Sequence, residues 1–235
     1  MTELLYLRDT YLFTSEAKII EVWENEFWKY LILDKTIFYP QWWGQPSDTG
    51  NISTADGKMF SVEKVKLSPE GKVYHFWSSQ DVFSSNETVF LQIDSKKRLF
   101  NARNHSAGHL VDVAMKHIWC SYMKPTKGYH FPEGGYVEYE WDFQENMESF
   151  ISQLSQELKQ LVEQDKKIAV VYEDIPWVIS PRGKEPRYVY FEGEDGCGCW
   201  GTHVGSTKEI GSIMMRKAKF SSGVLKVSYQ IQAEI

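Results

Sequence analysis

No stretch of this 235-residue sequence approaches the ~18 consecutive apolar residues that a membrane-spanning helix requires. Its longer apolar runs, such as Tyr30–Leu33 and Ile168–Tyr172, are strand-sized. The opening MTELLYLRDTYLF lacks a charged region followed by an apolar one, so no signal peptide is expected and the expected location is the cytosol, with no membrane partner. Cysteine is scarce. The three present, Cys120, Cys197 and Cys199, are odd in number and the last two are separated only by Gly198, which excludes an ordinary disulfide framework and makes thiols the expected state. Positive charge is in deficit too: 26 Lys+Arg stand against 32 Asp+Glu, a net charge of −6. That balance argues against a protein that coats nucleic acid non-specifically, since such binding needs many neutralised phosphates, and DNA is not an expected partner; a local basic patch remains compatible with it. There is no internal repeat and no low-complexity tract.

What is present suffices for a core. Hydrophobic residues make up 42% of the chain, and its length suits one large domain or two small ones. Aromatic residues reach 15%, including nine Trp, and most are expected inside. Up to about Phe100 the chain reads as strands and turns: KYLILDKTIFYP, then GNISTADGKMFSVEKVKL alternating about a Gly turn, then SPEGKVYHFW with its turn at Pro69–Gly71. Short, regular strands of this kind predict a small barrel or sandwich. From Asn104, a plausible N-cap, NHSAGHLVDVAMKHIW predicts a helix with Leu110, Ala114 and Ile118 on one stripe. In NMESFISQLSQELKQLVEQ, Met147, Phe150, Ile151, Leu154, Leu158, Leu161 and Val162 give the clearest amphipathic helix. GGYVEYEWDF, KIAVVYED, PRYVYFEG and GVLKVSYQI read as further strands. The expected architecture is α+β, a β-barrel-like domain over residues 1–98 followed by an α+β domain over 99–235.

Two pairs of residues carry chemistry. His105 and His109 stand four apart on a predicted helix, so both imidazoles project from one face and can reach one metal ion. Ser106 follows His105 where a zincin metalloprotease has its general-base Glu, which disfavours that class. Far downstream, GCGCWGTHVG places Cys199 and His203 four apart in a Gly-rich loop. Three imidazoles and one thiolate suit Zn²⁺ better than Mg²⁺ or Ca²⁺. Cys197 is a structural thiol or a substitute ligand; the four-residue spacing to His203 favours Cys199.

This arrangement resembles the editing domain shared by alanyl-tRNA synthetase and its free-standing relatives, the AlaX-type alanyl-tRNA editing proteins, with a more distant likeness to the threonyl-tRNA synthetase editing domain. FYPQWWGQPSDTG, Phe38 to Gly50, resembles the family's FYPxGGGQPxDxG; RNHSAGHLVD, KGYHFPEGGYVEY, GCGCWGTHV, STKEIGSI and GVLKVSY also resemble family segments, so the likeness runs from about Tyr30 to Tyr229. Two departures stand out: Trp42 and Trp43 replace consecutive glycines ahead of Gly44, and Trp200 replaces the Gly after the ligand Cys. These rings either fill space left by other changes, or narrow an amino-acid pocket or give a terminal base a stacking platform.

The resemblance implies a hydrolase that cleaves the ester joining a wrong amino acid, Ser or Gly, to tRNA(Ala), with one zinc held by His105, His109, Cys199 and His203 and with the acceptor end of the mischarged tRNA as partner. Four protein ligands would close a tetrahedral site, so catalysis at the metal needs five-coordination or one ligand standing off. Gln45 matches the motif glutamine and either donates to the ester or ribose or stabilises its loop. Thr126 is a candidate hydroxyl for reading the seryl side chain. Asp48 and Asp112 are expected to serve local structure. Trp42, Trp43, Gly44 and Trp200 are the candidate substrate-facing set. For RNA the candidates are Lys96, Lys97, Arg98 and Arg103 before the His pair, Lys124 and Lys127 after it, and Arg216, Lys217 and Lys219 near the end; each cluster alone fits a solvated face, and their convergence would give them meaning. No counterpart of the synthetase's aminoacylation domain, nor of the longer relatives' C-terminal extension, is expected. Two rival readings stand: a non-catalytic aminoacyl-tRNA-binding module with structural zinc, and a zinc hydrolase of this fold for another aminoacyl-tRNA or a small ester.

Overall fold

The computed structural model describes residues 1–25, 29–78, 83–119, 125–172 and 185–232. Two compact units divide the chain, Met1–Leu99 and Phe100–Ile235. The first contains β1 (Glu3–Leu4), a 3-10 turn (Leu5–Leu7), β2 (Thr14–Glu24), β3 (Lys29–Leu33), β4 (Lys35–Thr36), β5 (Gly50–Thr54), β6 (Met59–Leu67), β7 (Val73–Trp77) and β8 (Thr88–Ile93). Six strands close a barrel in the order β2-β3-β7-β6-β5-β8, and β1 pairs in parallel with β4. Alternation fixes what points inward: along β8, Val89, Leu91 and Ile93 are buried while Thr88, Phe90 and Gln92 are exposed. They meet Ile19, Leu31, Leu33, Ile52, Phe60, Val62 and Val65 in one core. His75, wholly buried there, is a core histidine with both ring nitrogens bonded, Nε2 to Thr36 Oγ1 at 2.8 Å and Nδ1 to the Leu31 carbonyl at 3.2 Å. Burial lowers its pKa to about 4, so it is neutral.

The glycine-rich motif sits between β4 and β5. Asp48 Oδ2 accepts from the Tyr39 N–H at 2.7 Å, and the Asp48 N–H donates back to the Tyr39 carbonyl at 3.0 Å, pinching the loop at its base. The last motif glycine, Gly50, pairs with Ile93, where a Cβ would come within 2.2 Å of the Gln92 carbonyl oxygen.

The division falls within α1 (Ser95–Ile118). This helix begins ten residues earlier than the sequence reading places it, because Asp94 rather than Asn104 is the cap: Asp94 Oδ1 accepts from the Lys97 N–H at 3.0 Å, and its carbonyl from the Arg98 N–H at 2.9 Å. The stretch SKKRLFNA then contains no breaker and continues as helix into Asn104. After α1 come β9 (Pro125–Tyr129), β10 (Gly135–Glu140), α2 (Met147–Glu163), β11 (Ile168–Val171), β12 (Tyr188–Phe191), β13 (Cys197–Gly198), α3 (Thr207–Ile210), β14 (Ile213–Ser221) and β15 (Val224–Ile231). One antiparallel sheet runs β14-β15-β10-β9 and a second β11-β12-β13. For α2 the apolar period is met: Asn146 caps it, accepting from the Glu148 and Ser149 N–H groups at 3.0 Å each, and Phe150, Leu154, Leu158 and Leu161 are buried. Each such side chain contributes about 1.5–3 kcal/mol. They join Leu110, Val111, Ala114, Val137, Val189 and Val227 in a second core. The architecture is α+β with a six-stranded barrel.

Candidate metal centre

α1 and the loop that follows β13 supply the site. His105 and His109 stack on one face of the helix, their rings 5.2 Å apart and 10° from parallel. β13 pairs with β12 through Val189↔Cys197, and the Cys199 N–H donates to the Arg187 carbonyl at 3.1 Å, which fixes the ligand loop to that sheet. Cys199 Sγ then lies 3.3 Å from His105 Nε2 and 3.3 Å from His203 Nε2. The candidate ligand atoms of His105, His109, Cys199 and His203 all fall within 4.8 Å of one another, so the group can hold one metal ion. Gly201 permits this approach, since a Cβ there would stand 2.2 Å from the His105 ring. Ser106 orients His203: its Oγ lies 3.0 Å from His203 Nδ1 and accepts from the Val204 N–H at 3.3 Å. Ligation of a metal through Nε2, the nitrogen on the Cys199 side, would leave the proton on Nδ1, where Ser106 Oγ can accept it. Cys197 Sγ lies 3.2 Å from His109 Nδ1, beside the four-donor group rather than within it.

Burial decides the protonation states. Desolvation, reinforced by neighbouring histidines and Arg187, drives His105 and His203 well below the usual imidazole range, and desolvation with Arg187 takes His109 to about 4. All three are neutral, the form that binds a metal. Burial also raises the Cys199 thiol to about 11 and Cys197 higher still, so only an added cation makes a thiolate favourable at neutral pH.

Two further side chains at the site carry no i, i+4 signature and escaped the sequence reading. His130, inside the KGYHFPEGG segment, is buried with its ring 4.5 Å from that of His105. Its Nδ1 lies 2.7 Å from the Tyr229 hydroxyl, which donates its one proton to the Asn104 carbonyl at 2.9 Å. Nδ1 must therefore be the donor, and Nε2 keeps a lone pair. Gly108 makes room for it, for a Cβ there would meet the His130 ring at 2.3 Å; this accounts for a helix-weakening residue in mid-helix. Asn101, one turn ahead of His105, is buried, and neither of its amide atoms has a hydrogen-bond partner among the described residues.

The remaining candidates are placed as follows. Gln45 is fully buried in the first unit, where it closes a tight turn with Trp42 through paired backbone bonds of 2.8 and 3.2 Å. Trp43 and Gly44 are its central residues, at φ 46° and 68°. Trp43 is exposed and Trp42 half-buried, their rings edge to face at 5.7 Å. Trp200 is packed inside the second unit, its indole N–H donating to the Glu185 carbonyl at 3.2 Å, so its ring is not a surface for a base. Thr126 is exposed on β9 and donates to the Glu138 carbonyl at 3.1 Å. Asp112 accepts from the Tyr139 hydroxyl at 2.6 Å, and desolvation raises its pKa to about 7.

Two members of the RNA-facing set need correction. Arg98 is completely buried, its guanidinium spent on Asp48, the Thr10 carbonyl and the Ile37 carbonyl. Arg103 is buried too, donating to the carbonyls of Ile210 at 3.1 Å and Gln232 at 3.2 Å. Neither can reach a phosphate. Lys96 and Lys127 are exposed, while Lys97 is half-buried with its Nζ 3.4 Å from Thr49 Oγ1. Lys124 and Cys120 lie outside the described residues.

The first unit is thus a small closed barrel, and in the second, α+β unit a helix and a Gly-rich loop bring together three His and one Cys that could hold a metal ion. The family profile described as tRNA synthetases class II (A) matches residues 7–97. An alanyl-tRNA editing protein AlaX-M from Saccharolobus solfataricus is 30% identical, covering 93% of this chain and 94% of that protein. An AlaX-M from Pyrococcus horikoshii is 28% identical over 94% of this chain and 93% of its own length. An alanine–tRNA ligase from Sulfurisphaera tokodaii is 27% identical over 97% of this chain, which spans only 26% of that enzyme. The chain belongs to the AlaX family of alanyl-tRNA editing proteins.

Proposed function

We propose that this protein is a trans-editing hydrolase that deacylates tRNA(Ala) carrying Ser or Gly, at a zinc ion held by His105, His109, Cys199 and His203 in its second unit. What carries the reading is the meeting of donors 94 residues apart in sequence, in a chain of the alanyl-tRNA editing family. The donor set fits zinc: three neutral imidazoles and one sulfur, with a hydroxyl orienting one ligand from behind. When bound, zinc supplies a Lewis acid for a water or for the ester carbonyl. The chain's own residues do the positioning. His130 Nε2 accepts a hydrogen bond beside the ligand group, and the Asn101 amide offers a donor and an acceptor one turn away. With its proton committed to Glu138, Thr126 can only accept from a seryl hydroxyl. A site that bonds this hydroxyl rejects alanine because the bonding group is then left unpaired.

The test is deacylation of Ser-, Gly- and Ala-charged tRNA(Ala) by the native protein, a chelated sample and a zinc-restored sample, together with Cys199→Ala and His109→Ala. Ser- or Gly-tRNA(Ala) should be cleared and Ala-tRNA(Ala) spared, with bound zinc and rate falling together in both variants by about tenfold or more. Full zinc occupancy with full activity in both variants overturns the ligand assignment. Bound zinc with none of the three substrates cleaved overturns the editing of tRNA(Ala).

A further inference from the structure

The sheet β14-β15-β10-β9 has one face in the second core and one outside it. Val137, Tyr139, Ala218, Leu225 and Val227 point inward. The register aligns the opposite face in rows: Tyr129, Tyr136, Ser228 and Lys217 form one, and Lys127, Glu138, Lys226 and Lys219 the next. Two rows thus carry four ammonium groups against one carboxylate, in a chain whose net charge is −6. Lys127, Lys217 and Lys219 are exposed. Lys219 pairs directly with Lys226, a like-charge juxtaposition that disfavours the sheet, and Glu138, 3.4 Å from the Lys226 ammonium, offsets it only for Lys226. Beside the lysines the rings of Phe131, Tyr129 and Tyr136 stack in series, at 4.3 and 5.2 Å between centroids. The Lys226 ammonium sits 3.2 Å from the centre of Tyr136, which holds that cation in place.

We infer that this face is the RNA-docking surface of the protein, on which Lys127, Lys217, Lys219 and Lys226 take phosphates and the aromatic ladder takes unpaired bases. Unrelieved positive charge complements a polyanion, and flat rings interleaved with the cations suit bases rather than an acidic peptide. The lysines spread over a patch about 15 Å wide, three interstrand steps. Lys127 and the Lys217/Lys219 pair, about ninety residues apart in the chain, converge here, whereas Arg98 and Arg103 do not. The inference rests on the editing reading for which RNA is bound, though not for the binding itself.

The experiment compares the full-length wild type with K127E/K217E/K219E, and with a control, K58E/K64E/K66E, that reverses three exposed lysines of the barrel. Affinity for labelled, uncharged tRNA(Ala) is followed by anisotropy from 50 to 200 mM NaCl, and KM and kcat are measured on whichever charged tRNA the wild type cleaves. The sheet variant should bind at least about tenfold more weakly, with the log–log salt slope shallower by about 2. Its KM should rise at unchanged kcat, and the control should stay near wild type. Unchanged affinity and slope in the sheet variant, or an equal or larger loss in the control, overturns the inference. If the wild type cleaves no charged tRNA yet binds RNA through these lysines, the editing reading fails and this one stands. If it cleaves and the sheet variant's KM and affinity do not move, only this one fails.

Discussion

Trp43 occupies a backbone conformation that a side chain makes costly: φ 46°, next to Gly44 at φ 68°. Left-handed geometry costs a non-glycine residue about 1–2 kcal/mol, and an edge-to-face aromatic contact returns about 0.5–1.5 kcal/mol. Trp43→Gly is therefore expected to change stability in urea by less than about 1 kcal/mol although it deletes a whole indole; a loss near 3 kcal/mol would mark the ring as packed core. Asp48→Asn should behave in the opposite way. It leaves the fully buried Arg98 without its counter-charge and should cost about 3–5 kcal/mol, read from the same titration. The motif's aspartate was legible as structural, while Arg98 was grouped with solvent-facing cations. Three consecutive basic residues on a helix point about 100° apart, and composition does not tell which one turns inward. His130 was illegible for a related reason: a single histidine has no periodic mate to announce it.

Among the elements, α2 was readable to within a residue at each end because its apolar period and its length agree. α1 was not. Its first turn is SKKR, with no acidic residue to favour the helix N-terminus, so the texture of the sequence resembles a basic linker. Near its other end His117 joins three elements: Nδ1 lies 2.7 Å from Glu157 of α2 and Nε2 2.9 Å from Glu194 after β12. Burial pulls its pKa down, but the two carboxylates outweigh that and leave it raised. A raised folded-state pKa adds stability below the unfolded value of about 6.5, and this is lost as pH climbs through the folded value. His117→Gln should accordingly lower the melting temperature at about pH 6 more than at about pH 9; an equal loss at both would mean that packing, not charge, holds the residue.

At the scale of the molecule the described residues form two hydrophobic cores, one per unit, and the four metal-capable donors belong to the second unit. A ligand that binds only the folded form stabilises what it touches. Returning zinc to stripped protein should therefore slow amide exchange in peptides covering α1 and residues 197–207 and leave β5 and β6 unchanged; equal protection in the barrel would show that the two units unfold as one. Barrel closure, with β2 meeting β8, is a long-range pairing that no local period encodes, so single strands were legible and the ring they form only as a class of shape. The four donors were legible because each pair repeats a spacing of four, though not the distance across which they meet.

That distance has a consequence for the order in which the protein is made. Every strand of the barrel is complete at Ile93, whereas Cys199 follows His105 by 94 residues. At a ribosomal rate of roughly 5–20 residues per second, the first two imidazoles emerge about 5–20 s before the thiol that completes their set. A nascent chain thus carries every strand of its barrel while its donor set is still half-written, and a chain abandoned in that interval has two imidazoles and no thiol to join them.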